Sequence, residues 1–217
     1  MLKKTLITIS VLFLLGILSV TFVILHKPSQ NLIIGAYNQV RFLSLAGGGS
    51  DCVEELTKRN VKFRSLGDMA DGICMVKNGV RVSSFSDTTL NGAVTLSCPA
   101  AIKVDEWLRR IKARNITHNG SYNCRTQRNN NIISEHSFGQ AIDIVSINGA
   151  AVASDWRKET PKGQILENAH QAACDVFSNI IGPYDNSLHA EHFHLDTGWG
   201  FGCTLKPIKQ LLNRHLR

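Results

Sequence analysis

No run of lysine or arginine, and no interleaving of basic with aromatic residues, occurs anywhere along the 217 residues. That absence excludes a nucleic-acid platform. No Cys-x-x-Cys pair occurs either, so the six cysteines cannot build a zinc ribbon or a dithiol redox motif. Internal repeats and low-complexity tracts are missing. With 43% hydrophobic and 19% charged residues, the chain is not disordered, collagenous or coiled-coil. The last absence is local: residues 5–25 contain no charged side chain.

That uncharged run covers about 31 Å as a helix, close to the hydrocarbon thickness of a bilayer. Lys3 and Lys4 precede it and Lys27 follows it. The lysines ahead of it favour a cytoplasmic N-terminus. Residues 1–27 therefore read as an uncleaved membrane anchor, with a cleaved signal peptide as the alternative. Thr21 to Leu25 run into His26, Lys27 and Pro28 without the small-residue pattern of a cleavage site. Either way the remainder lies outside the cytoplasm; with the anchor retained, the chain is expected to be a single-pass protein of the inner membrane, its domain on the periplasmic or extracellular side. Without the three flanking lysines, 21 bases face 17 acids, a balance that an ordinary solvated surface carries.

Cys52, Cys74, Cys98, Cys124, Cys174 and Cys203 all follow the anchor. An even number of widely spaced cysteines in an exported domain predicts up to three disulfides, whose pairing the spacing leaves open.

Residues 28–50 read as a tether ending in Gly47-Gly48-Gly49-Ser50, and 51–217 as the domain. Asp51 is the expected N-cap of a short helix reaching about Arg59. Strands are expected at 61–65 and 73–82, with a turn at Gly67-Asp68-Met69 and a hairpin turn at Asn78-Gly79. Apolar residues at helical spacing predict helices over 99–113, 163–179 and 206–215. Short strands are expected at 115–118, 140–147 and 190–196. Short strands with segregated helices predict an α+β fold, with a small, mostly antiparallel sheet.

Four of the eight histidines fall in two clusters. The first is Ser134-Glu135-His136-Ser137-Phe138-Gly139-Gln140-Ala141-Ile142-Asp143. The second is His189-Ala190-Glu191-His192-Phe193-His194-Leu195-Asp196. A catalytic zinc takes three nitrogen or oxygen ligands and keeps one position open, and His136, Asp143 and His194 form such a set. In an extended chain His192 shares a face with His194, while Glu191 points the other way.

The string Ser-x-His-x-x-Gly-x-Ala-x-Asp followed by His-x-His resembles zinc peptidases of the lysostaphin, D-Ala-D-Ala peptidase and Sonic hedgehog types. The strings Gly120-Ser121-Tyr122-Asn123-Cys124-Arg125, Ser134-Glu135-His136, Ile181-Gly182-Pro183-Tyr184 and 189–196 resemble more closely the bacterial extensin-like C-terminal domains, over about residues 50–204. The resemblance implies a hedgehog-like or D-Ala-D-Ala peptidase-like fold and one Zn2+ held by His136, Asp143 and His194. It also implies His189 and His192 as assisting histidines, Glu191 as a competing catalytic base, and Arg125 as the group that polarises the scissile carbonyl. Alternation favours His192 as the base; a bulge or turn at the strand start brings Glu191 inward. Asp196 is expected to orient His194 or to bond a neighbouring strand. The activity so implied is zinc-dependent hydrolysis of D-amino-acid-containing bonds in peptidoglycan. The other reading is a zinc-containing module that binds wall or partner without turnover.

Overall fold

The computed structural model describes residues 27–45, 49–128, 130–200 and 203. The uncharged run at 5–25 and the helix expected at 206–215 lie outside them. Among the described residues no helix is long and apolar enough to cross a membrane. The chain divides into two units: residues 1–44 with 127–132, and 45–126 with 133–217.

In the first unit the stretch read as a tether is helical from Lys27 to Leu43, here α1. Asn38 Nδ2 donates to the Asn131 carbonyl oxygen at 3.0 Å, joining α1 to the 127–132 segment.

The second unit is α+β. Helix α2 (Gly49–Lys58) leads into β1 (Lys62–Asp71), β2 (Cys74–Phe85), β3 (Thr88–Ser97) and helix α3 (Cys98–Arg110). After β4 (Asn115–Gly120) and a 3-10 turn (Glu135–Phe138) come β5 (Ala141–Ile147), β6 (Ala150–Ala151), the short α4 (Val152–Asp155) and α5 (Pro161–Ala173). The unit closes with β7 (Asn179–Ile181), a second 3-10 turn (Ser187–His189) and β8 (Phe193–Asp196). Eight strands among the described residues form one sheet in the order β1-β2-β3-β4-β5-β8-β7, with β6 paired to β5. The sheet is larger than the small one expected. It is antiparallel except where Thr89 and Leu90 of β3 run parallel to Asn115 and Ile116 of β4, with α3 as the crossover.

Local chemistry explains the departures from the expected boundaries. Asp51 lies inside the first turn of α2, where a carboxylate favours the helix dipole, and is not its cap. Asn78-Gly79 does not turn the chain. Asn78 adopts φ 48°, Gly79 pairs with Gly67 at φ 68°, and the β1–β2 register shifts around them, so both places are bulges in continuous strands. Asp68 holds the bulge by accepting from the Asn78 amide and the Lys77 ammonium, which keeps its carboxyl below the usual range. The real turn is at Gly72-Ile73. Helix α5 stops at Ala173, although Val176 and Phe177 continue the apolar spacing and are buried. The chain bends there to bring β7 alongside β8.

Two helices carry the core onto the sheet. Ser97 caps α3 by accepting from the Ala100 amide, and Pro99 occupies its first turn. Trp107 is fully buried, with Nε1 donating to the Ala169 carbonyl of α5 at 2.9 Å and its ring edge-on to Phe177. Truncating such a residue costs about 3–5 kcal/mol. The cysteines form three disulfides: Cys52–Cys98, Cys74–Cys124 and Cys174–Cys203. The first ties α2 to α3. The second ties the start of β2 to the loop after β4.

Candidate metal centre

Sheet register brings the two histidine clusters together. Asp143 of β5 and His194 of β8 are direct cross-strand partners, and Gly120, at the end of β4, pairs with Asp143 from the other side. The third donor comes from the 3-10 turn just before β5. Ser134 caps that turn, its hydroxyl oxygen accepting from the His136 amide. Gly139 ends it in the left-handed region at φ 63°. A side chain at Gly139 would sit 2.8 Å from the Ser97 nitrogen and from Val76, so only glycine lets the turn close onto the sheet. The Ser97 amide donates to the Gly139 carbonyl at 2.7 Å, locking this approach.

Three donor atoms result: His136 Nε2, His194 Nδ1 and an Asp143 carboxylate oxygen, all within 4.8 Å of one another and able to hold a metal ion. His136 Nε2 lies 3.2 Å from His194 Nδ1 and 3.3 Å from Asp143 Oδ2, and His194 Nδ1 lies 2.9 Å from Asp143 Oδ1. A tetrahedral ion with ligands at roughly 2.0–2.1 Å sets them about 3.3–3.4 Å apart, close to the separations of His136 Nε2 from His194 Nδ1 and from Asp143 Oδ2, while His194 meets the other Asp143 oxygen.

The outer ring nitrogens are engaged. His136 Nδ1 donates to the Ser121 carbonyl, which leaves Nε2 as the free lone pair. His194 Nε2 donates to Asp196 Oδ2 at 3.0 Å, which leaves Nδ1 for a ligand. Asp196 Oδ1 accepts from Asn179 Nδ2 and the Gly198 amide, each at 2.8 Å. Both alternatives expected of Asp196 thus hold at once: it orients His194 and it bonds the neighbouring β7.

Charge follows from these contacts. Burial raises the Asp143 pKa, but the contacts with the His136 and His194 rings outweigh it, and the carboxyl stays far below the usual range. Burial likewise lowers that of His194, but Asp143 and Asp196 outweigh it and push the imidazole up to about 9. At neutral pH a proton therefore sits on His194 Nδ1, between the imidazole and Asp143. His189 moves the other way, to about 4, through burial and the neighbouring His194 and His192.

His192 places Nε2 3.6 Å from Asp143 Oδ1, and its ring is 5.0 Å from that of His189. The His189 ring is in turn 5.6 Å from His194. The expected strand alternation is not the cause, because β8 begins only at Phe193. A turn at Ala190-Glu191 swings His192 toward the donors and leaves Glu191 exposed. Arg125 is half-buried, its Nη1 donating to the Thr126 carbonyl at 3.2 Å.

Ser137 went unnoticed in the sequence. Fully buried, its hydroxyl accepts from the Arg125 amide at 2.9 Å and lies 2.6 Å from the Arg125 carbonyl oxygen, so it clamps the loop after β4 to the turn that carries His136. Ser121 and Asn179 were missed too. Ser121 acts through its carbonyl, which leaves no trace in residue type, and nothing around Asn179 marks it in the sequence. Phe138 and Trp156 are buried in the core, and Trp199 is exposed.

The family model described as Extensin-like protein C-terminus matches residues 50–203, which contain every residue of this site. No curated protein and no solved structure matches the chain.

Proposed function

The chain belongs to the extensin-like C-terminus family, and from that premise and the donor triangle we propose a membrane-anchored zinc peptidase that hydrolyses D-amino-acid-containing amide bonds of peptidoglycan. The observation that carries the proposal is the triangle of His136 Nε2, Asp143 and His194 Nδ1, beside which His192 and His189 remain as additional bases. Two nitrogens and one carboxylate, in a tetrahedral arrangement with a position left over, suit zinc. The same donor order supports a place among the hedgehog-like and D-Ala-D-Ala peptidase-like folds. The uncharged run at 5–25 supports an anchor in the inner membrane, with the domain facing the wall.

When bound, a zinc ion supplies a Lewis acid and makes water nucleophilic near neutral pH. The protein does the rest. Ser121 and Asp196 hold protons on the outer nitrogens of His136 and His194, so both rings keep a lone pair turned inward. His192 Nε2 takes the proton of the attacking water and returns it to the leaving amine. Glu191, exposed in the adjacent turn, is the competing base. His189 stays neutral and relays to His192. Arg125 stabilises the oxyanion that develops on the scissile carbonyl.

The proximity of His192 to Asp143 supports a second reading, in which His192 is a fourth ligand that closes the site and the domain binds wall without turnover. Digestion of cross-linked muropeptides by the zinc-loaded full-length chain, read by mass spectrometry, separates the two. Turnover that is lost in His194→Ala supports the peptidase. Intact substrate over a zinc-loaded protein refutes it.

A further inference from the structure

A cavity lies at the end of the sheet's central strand away from the donor triangle. Strand β4 runs from Asn115 to Gly120, with Ser121 and the donor triangle beyond its last residue. Its first residue adjoins a cavity of about 480 Å³ between the β2–β3 turn and the C-terminal end of α3. The two places are separated by roughly 20 Å of strand.

The cavity's charge is unbalanced. Asp105 is fully buried in its wall, and two cations already answer it: Arg59 Nη1 at 3.3 Å and Arg109 Nε at 2.8 Å. The Ser86 hydroxyl lies 2.8 Å from the other Asp105 oxygen. That leaves Lys112 and Arg114 on the lining without a carboxylate partner among the described residues, opposed only by the exposed Asp87.

The backbone that carries these cations is fixed in advance. Lys112, just past the end of α3, adopts the left-handed region at φ 51°. Thr88 Oγ1 donates to the Ala113 carbonyl at 2.7 Å, and the Thr89 amide donates to the Arg114 carbonyl at 2.9 Å. Asn148 Oδ1 accepts from the Arg114 amide at 2.8 Å. A site whose cations sit on a pinned chain loses little ordering entropy on binding.

Volume decides the size of the occupant. At about 480 Å³ the cavity falls within the range of small-molecule sites and exceeds the needs of a bare ion. Leu108 and Ala113 are nearly fully buried behind the lining, so the groups an occupant meets are mainly polar and charged. We propose that this cavity is a binding site for a small acidic molecule bearing a phosphate or carboxylate, with Lys112 and Arg114 taking its acid group. The proposal stands apart from the metal chemistry and survives if the peptidase reading fails.

Isothermal titration of the full-length chain in mild detergent tests it, with glucose 1-phosphate, glucuronate and neutral glucose as probes. At least one acid is expected to bind saturably, and whichever binds more tightly identifies phosphate or carboxylate as the preferred group. Lys112→Ala with Arg114→Ala should weaken that binding roughly tenfold or more, and added salt should weaken it too. Asp87→Asn should tighten it by removing the opposing charge. Zinc stoichiometry in these variants should equal that of the parent. Failure of both acids to bind, equal binding of neutral glucose, or unchanged affinity in the double variant would overturn the assignment.

Discussion

Asp143 and His194 face each other across β5 and β8, and the 2.9 Å contact between Asp143 Oδ1 and His194 Nδ1 is the closest side of the donor triangle. Sheet register alone creates that pairing, across 51 residues of sequence. In the metal-free chain a proton occupies the contact, so metal and proton compete for one nitrogen.

The first prediction concerns stability without metal. The folded pKa of His194, about 9, is raised above the ordinary value near 6.5. Its contribution is complete below about pH 6.5 and is lost as pH rises through about 9, on the order of 3 kcal/mol. Denaturant midpoints in excess chelator should therefore fall between pH 6.5 and 9.5. A His194→Ala variant should show a flatter profile over the same window.

Metal affinity should run the other way. Because the bound cation displaces the His194 Nδ1 proton, affinity should weaken about tenfold for each pH unit below 9 until another group protonates. Competition against a chromophoric chelator at pH 6, 7 and 8 measures this slope. A flat response would mean that His194 does not give up a proton on binding.

Asp196 acts through His194 and should behave as a positioning residue. Asp196→Ala should cost about 10–100-fold in metal affinity. Asn179→Ala should have a smaller effect, because the Gly198 amide still holds Asp196 Oδ1. Chelator competition again reads both, and near-equal values for parent and Asp196→Ala would contradict the arrangement.

The disulfides offer a matched comparison. Cys52–Cys98 and Cys74–Cys124 close loops of nearly equal separation, 46 and 50 residues. Chain entropy therefore assigns each about 4 kcal/mol of stability. The second is tied more directly to the metal site: Cys124 lies between Ser121 and Arg125, the residues bonded to His136 and Ser137, whereas Cys98 reaches the His136 turn only through Ser97 and the Gly139 carbonyl. Replacing Cys74 and Cys124 by serine should weaken metal binding well beyond the effect of replacing Cys52 and Cys98, at similar loss of denaturant midpoint.

The donors were legible in the sequence because metal chemistry restricts residue types. His136, Asp143 and His194 come together as their spacing implied, and the helical periodicity of α3 and α5 marks real helices. Long-range pairing was not legible. Asn78-Gly79 carries the local signal of a hairpin turn, yet Gly67 across the β1–β2 pair makes it a bulge. The second histidine cluster reads as extended chain, but Asn186, accepting from the Leu188 amide, starts a 3-10 turn that re-aims His192. The contacts of Ser121 and Ser137 run through backbone groups, which residue identity does not encode.

The central claim is an open metal centre with three protein ligands, and anomalous diffraction at the zinc edge from the zinc-loaded protein tests it most directly. The account predicts one ion bound by His136 Nε2, Asp143 and His194 Nδ1, with a fourth ligand that is not protein. An ion closed by His192 or His189, or no ion at these three residues, would contradict it.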